Sequence, residues 1–259
     1  MVFGRIKAIL GGGTTVETVV HTPVTQPGGA LQGVVDIVGG EFEQEIKYLA
    51  LALVCRVEVE TDDGEYHADE TFATQHVHGA FTLHPDERRN VPFTVGVPLQ
   101  TPFNHIDGRD LPGVRLGVRT ELEIARSLDK GDYDPIRVAP LTAQQRVLTA
   151  LERIGCRFRR SDVERGRIYG ADLPFYQELE FTAPPELSGR LAEVELTFLA
   201  HQHELEVILE GERRPGLFTE GSDRTRRLTL GYDQIQHGDV EAILHEQLGE
   251  LARRRGLFG

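Results

Sequence analysis

From Ile46 to Glu60 the sequence alternates without a break. Leu49, Leu51, Leu53, Cys55, Val57 and Val59 fall on one side, and Ala50, Ala52, Val54, Arg56, Glu58 and Glu60 on the other. A period of two marks a strand, because successive side chains of an extended backbone point to opposite faces. The first set must be buried, and the second turns charged toward its end, as a sheet with one solvated face requires. Asp62-Asp63-Gly64 then supplies a turn signal, so a returning strand from Glu65 to about His78 completes a long hairpin.

The same alternation predicts strands at Thr15–Val20, Gln32–Val38, Ala80–Leu83, Val91–Val97 and Val114–Arg126. Roughly seven short strands separated by turns are the content of a β-sandwich, which we place over residues 1–128. The following tract, Ser127-Leu-Asp-Lys-Gly-Asp-Tyr-Asp-Pro135, is polar and holds both Gly and Pro; it reads as a linker. A chain of 259 residues is long enough for a second domain. Strands at Gly155–Arg160, Phe175–Thr182, Leu191–Ala200, Glu204–Glu210 and Arg226–Leu230 predict another β-sandwich over residues 136–259. Two helices interrupt it. Near residues 142–153, Thr142-Ala-Gln-Gln145 is a capping-box sequence, Val147, Leu148, Leu151 and Ile154 follow at helical spacing, and Gly155 stops the helix. Near residues 239–254, Asp239 caps a helix whose Val240, Ile243, Leu244, Leu248 and Leu251 form one stripe.

Charge and composition narrow the function classes. The chain carries 41 acidic against 28 basic side chains, a formal net charge of −13, which repels phosphate backbones and argues against general nucleic-acid binding. With 39% hydrophobic residues it can bury sizeable cores. No stretch approaches the 18 or so apolar residues of a membrane span, and the start MVFGRIKAIL has too short an apolar run for a signal peptide. A cytoplasmic location is expected. Cys55 and Cys156 each sit in an alternating apolar pattern, as buried free thiols do, rather than as a disulfide.

Several segments carry a family likeness. The run Gly39-Gly-Glu-Phe-Glu-Gln-Glu-Ile-Lys-Tyr-Leu-Ala-Leu-Ala-Leu53, then Phe81-Thr-Leu-His-Pro-Asp-Glu-Arg-Arg-Asn-Val-Pro-Phe93 and Val97-Pro-Leu-Gln-Thr-Pro102, resembles the bacterial sporulation-control proteins, part of the wider arrestin-like group. Arg119-Thr-Glu-Leu-Glu-Ile-Ala125, Leu173-Pro-Phe-Tyr-Gln-Glu-Leu-Glu-Phe181 and His203-Glu-Leu-Glu-Val-Ile-Leu-Glu-Gly-Glu-Arg-Arg214 continue the likeness in the same order. The resemblance implies two tandem arrestin-like β-sandwich domains, a cytoplasmic regulatory role in developmental or envelope-related processes, and no catalytic residues.

Read residue by residue, the candidate chemical sites are few. His76 and His78, and His201 and His203, lie two apart on strands, which would set each pair on one face within reach of a common metal. A zinc site needs further ligands, and no Cys-x-x-Cys or His-Glu-x-x-His motif completes one, so no metal is expected. Nucleophilic catalysis lacks a Gly-x-Ser-x-Gly elbow. The pairs Glu178/Glu180 and Glu193/Glu195 alternate with apolar residues and read as a solvated face, and Gly11-Gly-Gly13 lacks the Gly-Lys-Ser/Thr of a phosphate loop. No cofactor is expected.

Against this acidic background Arg213, Arg214, Arg224, Arg226 and Arg227 flank a loop holding Leu217 and Phe218. Arginine around an apolar anchor is a combination that protein interfaces favour, and the alternative is an ordinary loop with solvated arginines. The expected function is therefore a non-enzymatic adaptor that binds unidentified protein partners and pairs through sheet edges, including a homodimer at high concentration. The alternative is a β-sandwich that binds a carbohydrate or envelope component, against which the absence of Trp counts, since sugar sites favour aromatic platforms.

Overall fold

The computed structural model describes residues 7–10, 13–61, 64–124, 127–212 and 224–253. The chain divides into two compact units, Met1–Ala139 and Pro140–Gly259.

In the first unit, β1 (Lys7–Ile9), β2 (Thr15–Val20), β3 (Ala30–Val38) and β7 (Arg88–Gly96) form a four-stranded antiparallel sheet in that order. The second sheet runs β11 (Ser127–Pro135), β10 (Arg115–Ile124), β4 (Gln44–Thr61), with β5 (Gly64–His78) and β6 (Phe81–Leu83) on the far side of β4. A small hairpin, β8 (His105–Ile106) and β9 (Arg109–Asp110), stands apart. The register sets Leu53 beside Val118, Leu51 beside Thr120 and Leu49 beside Leu122. That row is the inner face, and every member is buried. Across the core a buried hydrogen bond joins the hydroxyls of Thr18 on β2 and Thr120 on β10. Gln75 Nε2 on β5 donates to the Thr94 carbonyl on β7 at 2.9 Å, a second tie between the sheets.

The outer row Ala50, Ala52 and Val54 is buried as completely as the inner one. Small side chains there leave room for larger neighbours to lie across the strand. Arg119 Nη2 on β10 meets Asp69 Oδ2 on β5 at 3.2 Å, an ion pair that spans β4. Gly117, opposite Val54, lies under Tyr133, whose ring carbons are 2.4 Å from where a Cβ would stand. Burial there lifts the Tyr133 hydroxyl to about 12.

The tract expected as a linker, 127–135, is instead strand β11, paired to β10 from Ser127 to Pro135. Its register puts Arg119 opposite Tyr133 and Glu121 opposite Lys130, so Gly131 and Asp132 together face Thr120 in a bulge. Glycine in a bulge and proline at the last position are both features of an edge strand. They are the residues that mimic a linker.

The second unit is an antiparallel meander: β12 (Arg157–Arg165), β13 (Phe175–Thr182), β14 (Glu193–Ala200), β15 (Glu204–Glu212) and β16 (Arg224–Gly231), paired in sequence order. Three helices accompany it: α1 (Thr142–Ile154), α2 (Tyr232–His237) and α3 (Val240–Ala252). Gly211 on β15 places the helical face, since a Cβ there would stand 3.6 Å from Leu251 Cβ on α3. Leu179, Val194, Leu196, Val207 and Leu209 share that face by register and are buried with Leu244, Leu248 and Leu251. Helix α3 lies over this face.

The helix ends follow local chemistry. α1 starts one position from the expected cap: Leu141 is the N-cap, and its N–H donates to the Gln144 side chain at 2.8 Å. Gly155 closes α1 at φ 104°, a left-handed value at which a side chain would strain the backbone. Asp239 caps α3 as expected, accepting from the Ala242 N–H at 2.9 Å. α2 was not foreseen, because one and a half turns carry no readable periodicity. Arg146 of α1 donates to the Ile235 and Gln236 carbonyls near its C-terminal end, where a cation also complements the helix dipole. No helix of the described residues is long and apolar enough to cross a membrane.

Candidate functional site

Opposite the helical face, the sheet of the second unit carries a dense set of carboxylates. Asp162 and Glu178 are directly opposed across β12 and β13, Glu180 opposes Glu195 across β13 and β14, and Glu195 opposes Glu210 on β15. Alternation along each strand puts them all on one face, with Glu164 two positions beyond Asp162. One carboxylate oxygen each from Asp162, Glu164 and Glu178 lies within 4.8 Å of the other two.

Arginine neutralises one end of this face. Arg160 donates to Glu180 through Nε at 2.6 Å and stands 3.9 Å from Asp162, and Arg159 pairs with Glu193. Glu178, farther along, is raised from 4.5 to about 8, first by burial and then by the charges of Glu195, Asp162, Glu164 and Glu210. The face can therefore hold a proton near neutral pH. Its oxygen donors are of the kind that hard cations take, and strand register alone suffices to bring the three carboxylates together.

Three comparisons place the chain. Residues 3–215 match the model of the family described as SpoOM protein. The sporulation-control protein spo0M of Bacillus subtilis (strain 168) is 35% identical over 260 residues, covering 96% of this chain and 98% of that protein. The chain belongs to the SpoOM protein family. The crystal structure of Spo0M, sporulation control protein, from Bacillus subtilis matches with a TM-score of 0.81 and 30% identity, covering 94% of this chain and all of that one. The resemblance to sporulation-control proteins and the mainly β, arrestin-like fold class both hold.

For this SpoOM family member, the structure separates residues that sequence spacing groups together. Arg213, Arg214, Leu217 and Phe218 lie outside the described residues. Arg224 opens β16, where its backbone pairs with Gly211. Arg226 and Arg227 are neighbours on that strand and point to opposite faces. Arg226 reaches Glu250 of α3 at 3.3 Å. Arg227 binds Glu206, and its Nη2 donates to the Tyr169 carbonyl. Burial would raise Glu206, but Arg227 and His201 outweigh it and hold the carboxyl below its usual range. The guanidinium of Arg227 also lies 5.7 Å from the Tyr169 ring, which is 91% exposed at the tip of the β12–β13 connection.

The histidine pairs are not brought together. His78 opposes Leu49 and His76 opposes Ala50, so Val77 is an extra residue in a bulge and the two imidazoles face opposite sides of the sheet. His76 packs against Tyr48 with the ring centroids 4.5 Å apart and the planes tilted by 55°, and His78 meets Phe81 edge-on at 5.0 Å. His201 binds Glu206 through Nε2 at 2.9 Å, while His203 is exposed in the turn before β15. Cys55 and Cys156 are buried free thiols. Burial pushes both upward, Cys156 to about 11, which leaves little thiolate at neutral pH. Spacing picks out Glu178 and Glu180 but reads them as a solvated face, whereas Glu180 is only 5% exposed; it is the register that brings these acids together with Asp162 and Glu195.

Proposed function

We propose that the protein is a non-enzymatic regulator in the control of sporulation that acts in the cytoplasm by binding other proteins. One observation carries this reading: 35% identity along 96% of the chain to a protein named for sporulation control. The architecture supports it. Sandwich sheets end in edge strands whose unpaired N–H and C=O groups suit pairing with a partner strand, and self-association at high concentration follows from the same feature. The segment holding Arg213, Arg214, Leu217 and Phe218, together with Arg224, Arg226 and Arg227 at the start of β16, forms part of the partner surface in this reading, with Phe218 as the residue whose loss would weaken binding most.

The test is rescue. This chain, expressed in Bacillus subtilis lacking its sporulation-control protein, should restore the yield of heat-resistant spores. Failure to restore it, with the chain folded and abundant, would count against the regulatory reading.

A further inference from the structure

The long hairpin of β4 and β5 leaves one edge, that of β5, to which no further strand pairs among the described residues. The C-terminal part of β5 is tied back to β7 through Gln75 and Thr94. Two bulges interrupt that C-terminal part, one where Leu53 faces Ala73 and Val54 faces Thr71, the other at Val77. From Gly64 to Thr71 the register is unbroken. This stretch is mostly exposed.

Natural edge strands are blunted by charged side chains, above all lysine, and by proline, bulges or short length. Gly64–Thr71 has no Lys, Pro or bulge, and the charges it carries are acidic alone. Neither Lys nor Arg occurs anywhere in β5; Asp69 is held by Arg119 at 3.2 Å, so the acid that bears on an incoming strand is Glu65. Glu60 and Glu65 are exposed and directly opposed across the hairpin. Like charges in a cross-strand pair are unfavourable, and an incoming cationic strand would relieve them. A second copy of β5 would instead bring a second Glu65 to this edge, so charge disfavours self-pairing here.

We infer that the outer edge of β5 between Gly64 and Thr71 is a docking edge for an extended, lysine- and arginine-bearing strand of a partner protein. The inference rests on the binding-regulator reading above and names the chemistry of the partner. Backbone hydrogen bonds to the edge would supply affinity, and opposed charges would fix register and exclude acidic strands.

The probe is the peptide acetyl-Thr-Lys-Val-Arg-Val-Lys-Thr-amide, added to the full chain and followed by hydrogen exchange. It should slow exchange within Gly64–Thr71. Two control peptides, one with alternate peptide nitrogens methylated and one with Glu at each basic position, should bind at least about tenfold more weakly. Glu65→Lys should weaken the basic peptide comparably while raising the melting temperature, because it converts the Glu60–Glu65 opposition into an opposite-charge pair. The inference fails if the basic peptide protects nothing in this stretch, if the methylated peptide binds equally well, or if Glu65→Lys leaves binding unchanged. If partners captured from cells hold Glu65→Lys as they hold the wild type, the regulator reading stands and this edge is not where they dock.

Discussion

Glu178 shows how register turns ordinary residues into an unusual group. It alternates with Leu179 and Gln177 like any outward strand residue, and its spacing from Glu180 reads only as a solvated face. Its carboxyl is raised to about 8 because β12, β14 and β15 bring four further acids to it after burial has already disfavoured the charge. Between pH 4.5, where the unfolded chain releases this proton, and pH 8, the folded state retains it. Stability should therefore fall as pH rises through that window and level off above it. Glu178→Gln removes the ionisable group. Urea unfolding should show it to be more stable than wild type by about 1 kcal/mol at pH 8, after allowance for solvent screening, and nearly equal to it at about pH 5. An equal gain at both values would mean that charge at Glu178 is not the cause.

At the scale of elements, periodicity was the readable signal, and its exceptions were bulges. β2 and β13 have the bounds that alternation predicts, and Asp239 caps α3 by the chemistry its side chain offers. β11 was hidden because an edge strand with a bulge uses Gly131 and ends on Pro135, the punctuation of a linker. His76 and His78 were separated for a related reason, since one extra residue reverses the face of everything beyond it. The outer row of β4 depends on contacts no pattern announces, above all Tyr133 over Gly117. Gly117→Val should force that ring aside and cost about 1–3 kcal/mol in thermal or urea unfolding. Combined with Tyr133→Ala, the valine should cost less than it does alone, because the clash has gone. Additive losses would show that the ring is not what restricts this position.

For the molecule as a whole, the family likeness was legible because segments along nearly the full chain keep their order, whereas no single motif carries an activity. Arg226 and Arg227 illustrate the limit: adjacent in sequence, they serve different faces and different carboxylates. Net charge of −13 also shapes encounters, favouring partners that present basic surface. The proposed function has this protein hold other proteins rather than turn over a substrate. Crosslinking in living cells, followed by mass-spectrometric identification of whatever is joined to the chain, tests it most directly. The account predicts a small, reproducible set of partner proteins whose crosslinks map to sheet edges or the arginine-flanked loop. Recovery of the chain alone, at every crosslinker dose that captures known complexes in the same cells, would contradict it.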